Sequence, residues 1–346
     1  MALLEAEAEP ALGASGANSG ILHTGFDSPP GELESELILA SGPAREPLVR
    51  GLGIPVARCG AVVRGSHERL AAIADAARRN RVTAGHPDEQ TLVIPDEAVT
   101  DPALYTLALA AEAKRQGAEL RMGFALARVK RTRSVLTLCA ADDQTVRCRA
   151  LVNAAGLRAD TVAALLADDS FSIYPRKGEF LVFEPPDGEP LGRILLPIPG
   201  ERTRGVLVFP TLDGKIIAGP TAVDLVDKDD WSVRPQARDE IVAKAVPMYP
   251  ALAEAEPIAA YAGLRPAGRG VNYLIARSRV CSELVNVAAI RSTGLTASSG
   301  IALRVARLVA GLGIRLGSRR ELQGGELPRL DAPWWRRAVS RRAAVR

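Results

Sequence analysis

The chain has 346 residues, about two domains' worth at roughly 150 residues per domain, and its 47% apolar and 24% charged content is ordinary globular usage that excludes a disordered or fibrous chain. No uninterrupted apolar run reaches the roughly 18 residues of a membrane span, and Met1 to Glu9 carries acids where a secretory signal would be basic and then apolar, so a cytoplasmic location is expected. The net charge of +4 resides in a tail where Arg319, Arg320, Arg329, Arg336, Arg337, Arg341, Arg342 and Arg346 face only Glu321, Glu326 and Asp331; with aromatics at 4%, a nucleic-acid surface is not expected.

In chain order, a first strand at Ala2-Leu3-Leu4 ends in Glu5 and leads into the small-residue loop from Gly13 to Gly25, GASGANSGILHTG. A helical pattern runs from Glu32 to Gly42, a short strand surrounds Ala61 to Val63, and Glu68 to Asn80 has the spacing of a one-faced helix at Leu70, Ile73, Ala74 and Ala77. Asp101 as N-cap, Pro102 at the first position and Gly117 as the stop predict a helix to Gln116. Strands are expected at Leu126 to Lys130, Val135 to Ala140 and Val146 to Asn153, followed by a helix from Asp160 to Ala167. Residues 172–272 alternate apolar and polar runs broken by Pro and Gly, the pattern of a mostly antiparallel insert containing one helix, Arg234 to Met248. A buried strand at Leu284 to Ala289 and a helix from Ser299 to Leu312 complete the pattern. Cys59, Cys139, Cys148 and Cys281 are scattered without a C-x-x-C pair, which argues against a thiolate-bound metal, and no metal site is expected.

Several motifs carry chemistry. Glu5 at a strand's C-terminal end can accept both ribose hydroxyls of an adenosine, or simply be solvated. The Gly13 to Gly25 loop offers backbone N–H groups where a pyrophosphate or flat ring must approach closely, or serves as a linker. Arg265, in Gly263-Leu264-Arg265-Pro266, offers two parallel hydrogen bonds to a phosphate or carboxylate, or a surface ion pair. His23 is a residue type suited to take a hydroxyl proton near neutral pH, or a structural histidine.

These residues, together with Val152 to Gly156, Pro175 to Glu179, Gly205 to Thr221, Ala262 to Pro266 and Ile290 to Thr296, resemble the flavin-dependent oxidoreductases of the D-amino-acid-oxidase superfamily. Within it the chain is similar to the branch of the anaerobic glycerol-3-phosphate dehydrogenase large subunit and L-2-hydroxyglutarate dehydrogenase. The resemblance runs to about Leu312. It implies an α/β (α+β) fold, an N-terminally truncated Rossmann-like FAD-binding domain formed by 1–60, 101–171 and 284–316, with a mostly antiparallel β substrate domain formed by 61–100 and 172–283, and a basic tail, 317–346.

It further implies FAD as cofactor, bound by Glu5, Ser15, Asn18, Ser19, Leu126, Ala155, Gly156, Arg291, Ser292, Thr293, Gly294, Leu295 and Thr296, with Ala289 standing where a glycine is usual. His23 and Arg265 take the catalytic positions, and Arg265 and Lys177 hold the substrate anion. The implied reaction is hydride transfer to flavin from a small anionic 2-hydroxy compound, sn-glycerol 3-phosphate first, with L-2-hydroxyglutarate or an amino acid as alternatives and a quinone or other electron acceptor as partner. A G-x-G-x-x-G turn is not found, so either the start is placed too late or the chain is a partial gene product. The non-enzymatic alternative is a fragment that binds no flavin, or that docks on a partner supplying the missing strand. The tail, with Trp334-Trp335, reads as solvated disordered chain or as a peripheral contact on the inner face of a membrane.

Overall fold

The computed structural model describes residues 1–344 except 187, 201–203 and 319; Arg319 and Arg346 of the basic tail lie outside the described residues. Helices α1 (Leu33–Gly51), α2 (His67–Arg79), α3 (Pro102–Arg115), α4 (Ala159–Ala164), α5 (Ala237–Ala245), α6 (Gly294–Ala310) and α7 (Trp334–Ala344) are distributed around several sheets. Asp101 caps α3 as its sequence predicts, accepting the Leu104 N–H at 2.8 Å with Pro102 in the first turn. Leu70, Ile73 and Ala77 of α2 are buried on one face.

Two parallel pairings define the α/β part: Ala2–Leu4 with Glu119–Arg121, and Leu151–Asn153 with Leu284–Ala288, the latter also antiparallel to Leu274–Arg277. The single strand expected from Val146 to Asn153 is two strands, because Thr145–Cys148 turns back against Val135–Ala140 before Leu151 joins the parallel pair. Helix α1 continues past the expected stop at Gly42, through Pro43 and Pro47. Its packing on α6 outweighs the proline cost: Ser41 Oγ accepts the Gly300 N–H at 2.7 Å and Arg45 donates to the Thr296 carbonyl at 3.1 Å.

The middle of the chain forms a nine-stranded sheet that is antiparallel except where Ile194–Leu196 runs parallel to Ala61–Arg64. Its backbone is the long pair Ile173–Phe183 and Ala259–Gly268, in register from Ile173 opposite Gly268 to Val182 opposite Ala259. Helix α5 covers one face through a core of Leu181, Phe183, Val208, Ile216 and Ile241. Because side chains alternate across a strand, Arg176/Arg265 and Gly178/Gly263 share one face, whereas Lys177 and Leu264 take the other.

Glu179 is fully buried within this sheet, its carboxylate accepting from the Arg234 guanidinium at 2.7 Å and from the Thr221 hydroxyl at 2.8 Å. Burial alone would raise its pKa, but Arg234 and Thr221 more than offset that and hold the carboxyl below its ordinary range. A depressed carboxyl stabilises the fold above its unfolded pKa, about 4.3, and the contribution is lost as pH falls through the lower folded value. Glu179→Ala, which leaves Arg234 without this partner, is expected to cost about 3–5 kcal/mol in urea unfolding at neutral pH, with a much smaller difference from the parent protein in acid.

Before α7 the tail is mostly exposed irregular chain, whereas α7 itself packs onto the body of the protein. Trp334 and Trp335 are each 3% exposed, Trp334 packs edge-on against Tyr261 with centroids 5.5 Å apart, and Trp335 Nε1 donates to Asp213 at 3.0 Å. These contacts join the tail to residues distant in sequence, a term no local pattern carries. Among the described residues no helix is long and apolar enough to cross a membrane.

Candidate functional site

A cleft of about 720 Å³ opens between the α6 N-terminus, the loop after the first strand and the Arg176/Arg265 face of the long strand pair. His23 enters it from the short strand Ile21–Leu22, which pairs with Ala98–Thr100. That pairing brings Glu97 against His23 across 74 residues of sequence: Nδ1 lies 3.0 Å from Glu97 Oε2, with exposures of 8% and 0% for the two side chains. A carboxylate only accepts hydrogen bonds, so Nδ1 carries a proton and, in the neutral imidazole, Nε2 is the acceptor. Glu97 also accepts from the Thr24 N–H and hydroxyl. Burial would raise the Glu97 pKa, but His23 and Thr24 more than compensate and hold it below the usual range. The sequence reading missed Glu97; its only local signal is an acid directly ahead of the apolar strand Ala98–Thr100.

Arg265 lies flat against its neighbouring strand. Its Nε donates to the Arg176 carbonyl at 3.1 Å, and Nη2 donates to those of Lys177 and Thr221 at 3.0 and 2.7 Å. Among the described residues no carboxylate pairs with it and Nη1 has no partner. Burial, with Arg176 and Arg291 nearby, pushes its pKa down to about 10, which leaves it cationic at neutral pH. The cleft therefore holds a fixed guanidinium whose charge is not already spent on a carboxylate. Arg176, in contrast, is neutralised by Asp224, with Nη2 to Oδ2 at 2.9 Å, and Arg204 by Asp27 at 2.8 Å.

The strand face around Arg265 lacks side chains. A Cβ at Gly178 would meet Arg265 Nη2 and Pro220 Cβ, both at 2.8 Å, and one at Gly263 would meet the Ala17 carbonyl at 2.8 Å. Gly178→Ala must displace the guanidinium or Pro220, and we expect a loss of about 1–3 kcal/mol in denaturant unfolding.

Of the residues singled out in the sequence, Ser15, Asn18, Ser19, His23, Gly156, Arg265, Arg291, Ser292, Thr293, Gly294 and Leu295 line the cleft. Asn18 Nδ2 donates to the Ser292 carbonyl at 2.9 Å, which ties the small-residue loop to the start of α6. Helix α6 begins at Gly294, five residues earlier than expected, with no acidic residue in its first turn, and Gly294 and Leu295 line the cleft, so the positive end of its dipole faces it. Glu34, on the cleft wall, accepts from Asn272 at 2.6 Å and from Arg291 at 3.4 Å, which fixes Arg291. Ala289 has φ +53°, the left-handed region that favours glycine.

The remaining residues lie outside the cleft. Thr296 supports it from below: its Oγ1 accepts the His23 N–H and donates to the Ile21 carbonyl, both at 3.1 Å. Ala155 donates its N–H to Asn153 Oδ1 at 3.3 Å, Glu5 accepts the Glu7 N–H at 3.0 Å, and Leu126 packs with Phe124 and Leu138. Lys177, expected to face the substrate, points to the opposite side of its strand, where Nζ donates to Asp230 at 2.8 Å and Ser232 at 3.2 Å.

A family model described as FAD dependent oxidoreductase (DAO) matches residues 1–308. A glycerol 3-phosphate dehydrogenase of Caloramator mitchellensis is 25% identical over 325 residues, 88% of this chain and 68% of the relative. An L-2-hydroxyglutarate dehydrogenase of Escherichia coli strain K12 is 24% identical over 254 residues, 68% of this chain and 60% of the relative. The solved structure of dithionite-reduced L-alpha-glycerophosphate oxidase from Mycoplasma pneumoniae with FAD bound superposes with a TM-score of 0.85 at 23% identity, covering 95% of this chain and 92% of that one, a likeness of fold.

Proposed function

The chain belongs to the DAO family of FAD-dependent oxidoreductases, and from that premise we propose that it oxidises a small anionic 2-hydroxy compound, sn-glycerol 3-phosphate before others. The observation that supports this most is the presence, in one cleft, of a histidine held at Nδ1 by a buried carboxylate and of a guanidinium that forms no ion pair among the described residues. The residues present fit a flavin. The α6 N-terminus turns positive potential toward the cleft, and the loop facing it lines the cleft with the small side chains of Ser15, Ala17, Asn18 and Ser19. Ser15, Asn18, Ser19 and Ser292 to Leu295 would hold it.

When bound, FAD supplies the hydride acceptor. Arg265 binds the phosphate or carboxylate and thereby orients the substrate carbinol toward His23. Glu97 fixes the imidazole tautomer and stabilises the imidazolium once His23 has taken the hydroxyl proton at Nε2. Arg291, braced by Glu34 and Asn272, places a second guanidinium on the cleft wall, its charge partly offset by Glu34.

Glycerol 3-phosphate leads because the motifs Gly205 to Thr221 and Gly263 to Pro266 are similar to that subgroup, and because relatives bearing that substrate in their names align over most of the chain. L-2-hydroxyglutarate is the alternative, since Arg265 would hold a carboxylate equally well. An anaerobic panel of sn-glycerol 3-phosphate, L-2-hydroxyglutarate and simple amino acids tests the assignment: the expected result is the fastest flavin bleaching with glycerol 3-phosphate, and faster bleaching with either other class overturns it.

A further inference from the structure

We propose that the C-terminal helix α7 is a clamp for the flavin-facing loop 7–19, with Arg337 and Arg341 as its positioning residues. The inference rests on the FAD reading of the cleft but concerns a part of the chain beyond the residues 1–308 that the family model matches.

The loop is built of small residues from Gly13 to Ala17, a composition with many conformations to lose when it is ordered around a ligand. Its inner side lines the cleft through Ser15, Ala17, Asn18 and Ser19, and the Ala17 carbonyl rests over Gly263 on the cleft floor. Its outer side is held by α7. Arg337 pairs with Glu9, and Arg341 Nη2 lies 2.8 Å from Glu7 Oε1, the two arginine side chains being only 20% and 21% exposed. The Arg341 guanidinium also sits over the Trp231 ring, 4.1 Å from its centroid. Trp231 forms a buried cluster with Ala17 and Leu264, and Ala338 of α7 packs against it.

The helix is itself anchored to the substrate sheet through Trp334 on Tyr261 and Trp335 on Asp213. It therefore ties the loop to the sheet that carries Arg265. Ordering the loop before the cofactor arrives removes part of the conformational cost of binding, so the clamp is felt as FAD affinity.

The test uses the full chain. In Arg337→Glu/Arg341→Glu, each substitution turns an attractive pair into a repulsive one, and the FAD dissociation constant, read by fluorescence quenching well below the melting temperature, is expected to rise about tenfold or more. Adding Glu7→Arg and Glu9→Arg should recover most of that loss. Equal FAD affinity in the folded double variant, or a lowered melting temperature with unchanged affinity, overturns the proposal. If charge reversal prevents folding, Arg337→Gln/Arg341→Gln is expected to raise the constant several-fold, and an unchanged constant there is equally contrary. A second readout needs no flavin: in the apoprotein, cleavage after Glu7, which precedes Ala8, by a glutamate-specific protease should be several-fold faster in the Gln variant than in the parent. Unchanged cleavage refutes the clamp even if the parent chain binds no FAD, a result that by itself would instead refute the flavin reading.

Discussion

Replacing His23 by asparagine lowers the rate of substrate-dependent flavin reduction by about 10²- to 10⁴-fold, the loss associated with a general base. The asparagine amide retains a donor near the Nδ1 position, so Glu97 keeps a partner and the buried carboxylate is not stranded. FAD content should stay near that of the parent protein, because His23 acts on the substrate hydroxyl. Glu97→Gln is the sharper variant. Its side-chain amide can donate to Nδ1, favouring the tautomer with the proton on Nε2, and a loss approaching that of His23→Asn with normal folding separates base catalysis from packing. A single-turnover rate unchanged in His23→Asn would remove the histidine from the chemistry.

The second large effect is at Arg265. Arg265→Ala is expected to cut kcat/KM by about 30- to 1,000-fold, equivalent to about 2–4 kcal/mol for a buried charge-assisted contact, with most of the change in KM. Arg265→Lys keeps the charge, yet it loses the planar fork that reaches the carbonyls of Arg176, Lys177 and Thr221, so an intermediate loss is expected. Steady-state kinetics at matched FAD occupancy read this directly. A wild-type KM in Arg265→Ala would exclude the guanidinium as the anion anchor.

The parts of this site visible in the sequence were those with local signals. The small-residue loop, the Gly263-Leu264-Arg265-Pro266 motif and the Arg291 to Leu295 turn converge on one cleft. Glu97 escaped because its partner is 74 residues away and the antiparallel pairing of Ile21–Leu22 with Ala98–Thr100 is a tertiary event. Lys177 illustrates the opposite error. Arg176 and Lys177 are adjacent in one strand, so strand alternation sends them to opposite faces and only one can face the substrate. The helical pattern read from Glu32 to Gly42 gives no sign that the helix continues, whereas packing of α1 on α6 carries it through Pro43 and Pro47 to Gly51. The tail's arginines resembled a solvated run for want of any local indication that Glu7, Glu9 and Asp213 would receive its side chains.

The most direct test of the account is the visible absorption spectrum of the purified chain after incubation with FAD, recorded anaerobically before and after addition of sn-glycerol 3-phosphate. The account predicts a protein-bound flavin spectrum that bleaches on addition of the substrate, and a much slower bleaching in Arg265→Ala at the same sub-saturating concentration. A colourless protein that takes up no FAD, or a bound flavin that none of the anionic hydroxy compounds reduces, would contradict it.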